Sequence, residues 1–227
     1  MAEPAPNPEL MRSLGRLVRG LSALFWGLPT ALLISFYSAR TEGLGLFGIL
    51  PAMATTGLIL YGLWLMGDFQ KQERVWRHAL DRSRLLGLIQ FGLSPFLYWW
   101  YRVPGNGLFV VMVLLLGATA LLFLASLNLL LQRLGAMLPD ETLRLEVSQF
   151  THLNLNLLLA TGILTAVYVV LAQFEVLPLY LQAVLMVLER GSYWFIVLLT
   201  LLPLAMTMAL LWKTKEVILD NIFGSKQ

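Results

Sequence analysis

The 227-residue chain has no cysteine, and its only histidines are His78 and His152. The first absence removes disulfides, thiolate metal sites, Cys nucleophiles and lipidation on Cys in one step. Charge is scarce as well: Asp, Glu, Lys and Arg make up 13% of the residues against 58% hydrophobic, and the mean hydropathy is +0.75. A water-soluble fold of this size cannot bury so much apolar surface, so lipid is the expected solvent. Catalytic motifs are missing too. There is no His-Glu-x-x-His, no Gly-x-Ser-x-Gly, no Walker loop and no Asp-rich diphosphate motif. No cofactor and no metal site are implied, and the reading leans away from an enzyme. The formal charge of +3 gives no reason to expect nucleic acid, because in a membrane chain the placement of Lys and Arg matters more than their sum.

What is present is a series of uncharged runs. Between successive charged or His residues, six long ones occur: Arg19 to Arg40 encloses 20 residues, Glu42 to Asp68 encloses 25 and Arg84 to Arg102 encloses 17. Arg102 to Arg133 encloses 30, His152 to Glu175 encloses 22 and Arg190 to Lys213 encloses 22. A helix rising 1.5 Å per residue needs roughly 17 to 25 apolar residues to cross about 30 Å of hydrocarbon. The expected fold is therefore an all-α bundle of six spans arranged as three antiparallel hairpins. The spans fall near 20–39, 44–66, 85–101, 107–131, 153–173 and 192–212, within a transmembrane domain over 17–216. Tails at 1–16 and 217–227 flank it. The first run lacks the small-residue cleavage pattern of a signal peptide and reads as a retained anchor.

Orientation follows from the basic residues, which stay on the cytoplasmic side of short loops. Thirteen of the 16 share one side: Arg12, Arg16 and Arg19; Lys71, Arg74, Arg77, Arg82 and Arg84; Arg133 and Arg144; Lys213, Lys215 and Lys226. Only Arg40, Arg102 and Arg190 fall on the other. Both termini are expected in the cytoplasm of a cell membrane. The turns Ala39 to Gly43 and Arg102 to Asn106 are short enough to force hairpins, the second with strong turn chemistry in Arg-Val-Pro-Gly-Asn. The third outer connection, Phe174 to Gly191, is long and apolar. As part of the last span it would make a helix of about 52 Å with Glu189 and Arg190 in hydrocarbon, so 178–189 is expected to lie in the outer interface.

The polar residues give two candidate sites. Gln149, His152 and Asn156 follow i, i+3, i+7 spacing and share one helical stripe. Asn128 and Gln132 form a second stripe at similar depth. Together they read as one polar cluster near the cytoplasmic boundary, either a small pocket or ordinary interhelical hydrogen bonding. The loop Gly67 to Arg84 carries Phe69, Trp76 and Leu80 at i, i+7, i+11 and reads as a short amphipathic helix on the inner leaflet. There Lys71, Arg74, Trp76, Arg77, Arg82 and Arg84 would meet lipid headgroups or a partner. Pro139-Asp140-Glu141 reads as a helix start whose first turns project beyond the membrane, with Leu143, Val147 and Phe150 as an apolar stripe.

No span carries a charge at its middle, which disfavours voltage sensing, proton pumping and cation-coupled transport. The leading expectation is a membrane subunit or scaffold that meets membrane lipids, other membrane proteins or a second copy of itself. The alternative is a permease or channel for a neutral or amphiphilic solute. A lipid-modifying enzyme using His152 comes third.

Overall fold

Backbone N–H and C=O groups find no water to bond in hydrocarbon, so a chain this apolar satisfies them within helices. The computed structural model describes residues 8–38, 45–70, 72–103, 105–138, 140–171 and 200–220, and it is all-α. In chain order the helices are α1 (Pro8–Ser38), α2 (Leu50–Leu65), α3 (Arg74–Arg102), α4 (Gly107–Met137), α5 (Glu141–Leu171) and α6, over 200–220. Short 3₁₀ turns, Gly45–Ile49 and Met66–Asp68, bracket α2. Among the described residues four segments are long and apolar enough to cross a membrane: Met11–Ser35, Phe47–Asp68, Gly107–Met137 and Glu141–Leu171. By helix length and composition this is a multi-pass membrane protein. The first outer turn, Lys71, the interfacial segment 178–189, the start of the sixth run and residues 221–227 of the C-terminal tail lie outside the described residues, while 217–220 continue α6.

The amphipathic segment expected on the inner leaflet is not a separate helix. It is the first three turns of α3, continuous with the third run. The physical reason is one unbroken buried stripe of Trp76, Leu80, Ser83, Gly87, Gln90, Ser94 and Tyr98, at the three- and four-residue steps that keep one face on the bundle. Likewise α4 runs on to Met137 and α5 begins at Glu141, so both pass well beyond the charge-free runs and meet in a turn of three residues. Asp140 starts α5 as expected: its Oδ1 accepts from the Thr142 N–H at 2.9 Å, the Leu143 N–H at 3.1 Å and the Thr142 hydroxyl at 2.6 Å. At the α3–α4 turn Gly105 sits at φ +89 and Asn106 caps α4 by accepting from the Leu108 N–H at 3.0 Å.

Successive helices pack on one another from α1 to α5. Thr207 and Lys213 bring α6 against α4 and α5, and the Phe25 and Trp212 rings meet at 5.5 Å, tying α6 to α1. The backbones of α1 and α2 approach closely where Gly20 faces Gly62. A Cβ on Gly20 would lie 2.7 Å from the Gly62 carbonyl oxygen, and one on Gly62 would lie 2.9 Å from that of Gly20. Only glycine lets the two backbones touch there. At the same end Arg16 pairs with Asp68, while Arg84 donates to the last carbonyls of α2, Leu63 at 3.3 Å and Trp64 at 3.4 Å, with its guanidinium over the Trp64 ring. That is the favourable placement of a cation at a helix C-terminus. One buried cluster links the six described helices, through Leu17 to Leu28, Ile59 to Phe69, Trp76, Leu80, Phe123 to Leu134, Leu143, Val147 and Leu204 to Ile218.

Candidate functional site

The polar side chains that face inward form a layer across this core. On α3 and α4, Ser83 and Ser126 bring their Oγ atoms to 2.6 Å. Ser83 also reaches the Ala79 carbonyl at 3.1 Å, so with its proton there Ser126 is the donor to Ser83. Deeper along α4, Asn128 is fully buried, as are Thr151 and Asn154 of α5 and Thr207 of α6. Asn128 Nδ2 donates to the Leu124 carbonyl at 2.7 Å and to Thr207 Oγ1 at 2.9 Å. Asn154 Nδ2 lies 3.1 Å from Asn128 Oδ1, 3.1 Å from the Pro203 carbonyl and 3.0 Å from Thr207 Oγ1. Thr207 donates its own proton to Pro203 O at 2.8 Å, and Thr151 donates to the Asn128 carbonyl at 3.5 Å.

These contacts fix the Asn154 amide. With Thr207's proton spent on Pro203, all three groups facing Asn154 Nδ2 are acceptors, so the reversed amide would set oxygen against oxygen. The cost of that orientation falls on Asn154 Oδ1, which is buried without a partner among the described residues. Interhelical hydrogen bonds in membranes contribute about 0.6 to 2 kcal/mol each, so three helices joined by two amides and a hydroxyl make a lock of a few such increments.

The five residues expected to form one cluster do not come together. Asn128 enters the network above, and Gln132 donates to Ser148 Oγ at 3.2 Å at the α4–α5 seam. Gln149, His152 and Asn156 are exposed on the opposite face of α5. The buried stripe of that helix is Leu143, Val147, Thr151, Asn154, Leu158 and Thr161. At 100° per residue the two stripes are centred about half a turn apart. Phe150, expected beside Leu143 and Val147, is also outside the buried stripe at 43% exposure. The network members the stripe argument missed are Asn154, Thr151 and Thr207. Their signal was available: Thr151, Asn154 and Leu158 continue the Leu143, Val147 spacing without a break.

Of the expected headgroup set, Arg74, Arg77 and Arg82 are exposed, Arg84 is half-buried against α2, and Lys71 lies outside the described residues. Trp76 departs from the expectation. It is 1% exposed, edge-on to Phe69 with ring centroids 6.0 Å apart, because it begins the inward stripe of α3.

Outside the bundle core, a cleft of about 330 Å³ opens between α4 and α5, lined by Gln132, Arg133, Ala136, Arg144, Leu145 and Ser148. Asp140, beyond the start of α5, has its carboxyl held below the ordinary carboxylate range by the Thr142 hydroxyl and then by the Leu143 N–H. Among the described residues no group of three or more His, Asp or Glu side chains is placed to hold a metal ion. Comparison of the chain with protein-family models, curated proteins and solved structures finds no match.

Proposed function

We propose that the chain is a non-enzymatic membrane subunit or scaffold, a six-span bundle with both termini in the cytoplasm, that docks to another membrane protein through the outward face of α5. The observation that carries this reading is the division of polar residues on that helix. Thr151 and Asn154 are spent on α4 and α6, whereas Gln149, His152 and Asn156 point outward with no side-chain partner among the described residues. They stand among exposed Leu145, Leu153, Leu159 and Ile163. An amide facing lipid loses its hydration without gaining a bond, a cost of order 1 to 3 kcal/mol on protein scales, and a partner helix removes it. Gln149→Leu with Asn156→Leu should therefore leave the isolated protein as stable as before and strip the co-purifying partner in mild detergent. A wild-type chain that stays alone both in membranes treated with crosslinker and in detergent contradicts the reading.

The topology rests on the 13 to 3 basic asymmetry. Fusions after Gln70, Pro139 and Gln227 should report cytoplasm, and one after Asn106 the outside. An outside signal at Gln227 would require an odd number of spans.

One observation supports a permease for a neutral solute as the second reading: Asn154 Oδ1 is a buried acceptor with no donor among the described residues, at the junction of α4, α5 and α6. Under that reading Asn154→Leu abolishes uptake by proteoliposomes that hold the same amount of folded protein as the wild type.

A further inference from the structure

We infer that the cleft between α4 and α5 is a binding site for the phosphate of an anionic phospholipid, with Arg133 and Arg144 as its two cationic walls. The inference needs the bundle to sit in a bilayer, and it does not depend on a protein partner for α5.

The argument begins with what the two arginines lack. They project from adjacent antiparallel helices into the same concavity, and neither guanidinium has an ion pair or hydrogen bond among the described residues. The carboxylates nearby are otherwise engaged. Glu146 pairs with Lys213, and Asp140 is committed to Thr142 and Leu143 at the start of α5. Glu141, one turn before Arg144 and also exposed, has no ion pair among the described residues, and together with the ionised Asp140 it opposes an anion from the start of α5. Neither carboxylate lines the cleft, whose own walls carry two guanidiniums and no acid.

The remaining lining suits a phosphodiester. Gln132 and Ser148, bonded to each other at 3.2 Å, close one side with an amide and a hydroxyl that can turn toward phosphate oxygens. Ala136 adds no bulk between them. A volume of about 330 Å³ is at the small end of ligand pockets, large enough for a headgroup and too small for a whole lipid. The acyl chains have a path, because the surface beyond Gln132 and Ser148 is apolar and exposed: Leu129 and Leu122 on α4, Leu159 on α5, the last at 64%. Polar grip at the charged end of two helices with apolar surface beyond it matches the amphiphilic shape of a phospholipid, which is why a free phosphate is the lesser candidate. The guanidinium fork presents paired N–H donors that match the oxygens of a phosphodiester bidentately.

The test is native mass spectrometry of the full chain in nanodiscs or detergent with phosphatidylglycerol or phosphatidylcholine added, alongside the Arg133→Gln, Arg144→Gln double variant. The expected result is retained phosphatidylglycerol on the wild type, little phosphatidylcholine, and a loss of roughly tenfold or more in phosphatidylglycerol affinity for the double variant. The double lysine variant should keep charge-driven binding in part, and Glu141→Gln should strengthen it, while Gln149→Leu with Asn156→Leu changes nothing. All these positions are exposed, so the variants should fold, and an unchanged melting temperature verifies it. Equal binding of both lipids, or full binding by the double glutamine variant, overturns the site. Displacement of the lipid by millimolar inorganic phosphate would show that the acyl chains add nothing, and would overturn the assignment to a lipid.

Discussion

Helices α4 and α5 each contain two stretches that obey different rules. From Thr119 to Gly135 and from Leu143 to Thr161 they bury a stripe of mixed polarity against the rest of the bundle. Over 107–118 and 162–171 not one side chain is buried, and Val111, Leu115, Ile163 and Val170 are all more than 40% exposed. Length and hydropathy treat both stretches alike, since each belongs to a run able to cross a membrane. The difference teaches where specificity lies. Leu against lipid is worth about as much as Leu against Leu, so an apolar stretch alone fixes no neighbour, and a buried amide or a glycine contact does.

The largest effect expected from that contrast is steric. Gly62→Leu must push a side chain into the α1 backbone at Gly20 and should cost about 3 kcal/mol, because two packed backbones cannot yield. Gly117, with nothing within 4 Å of a Cβ, should accept Ala with a gain of up to about 1 kcal/mol from helix propensity. Reversible unfolding in mixed detergent measures both, and equal costs would erase the distinction between the stretches.

Next comes the amide. Asn154→Leu removes the contacts to Asn128, Pro203 and Thr207 and leaves the Asn128 side-chain Oδ1 buried without its donor, for a loss of about 2 kcal/mol. In the exposed stretch, Leu114→Ala should stay within about 0.5 kcal/mol. A comparable loss at Leu114 would mean that this face too has a specific neighbour.

The smallest effect is at the turn where the packed stretches meet. The Asp140 carboxyl titrates below its ordinary value when folded, so its stabilisation is complete above the unfolded value and disappears as pH falls through the folded one. With exchange rates divided by their intrinsic pH-dependent values, amide protection at the first turn of α5 should therefore fall in acid, below the ordinary carboxylate range. Asp140→Asn, which keeps an acceptor, should flatten that dependence.

Much of this architecture was legible in the residues, and the failures have a common cause. The helical class, the Asp140 start and the Asn106 turn rest on local chemistry, which a sequence displays directly. The continuity of α3 was hidden because Arg74, Arg77, Asp81, Arg82 and Arg84 suggested a separate amphipathic helix on the inner leaflet, although Trp76, Leu80 and Ser83 already carried the inward stripe. The site was misplaced on α5 for a deeper reason. In water the apolar side of a helix faces the core, but in lipid periodicity has no such sign. Gln149, His152 and Asn156 were the more polar stripe, and they point outward, while Thr151 and Asn154 point inward beside Leu143, Val147 and Leu158. Nothing local identified Thr207, whose partners are 53 and 79 residues away. The glycine crossing was equally silent, since Gly20 and Gly62 belong to different helices and neither lies in a pattern of small residues.

The central claim is that the buried polar layer holds α4, α5 and α6 together as a unit, and a double-mutant cycle between Asn154→Leu and Thr207→Val tests it most directly. The two side chains touch at 3.0 Å and share the Pro203 carbonyl. Unfolding free energies of the wild type, both single variants and the double variant should give a coupling of about 1 kcal/mol or more, the double variant losing less than the sum of the singles. Losses that add to within about 0.3 kcal/mol would show that the two residues act independently, and that the layer is not what joins the three helices.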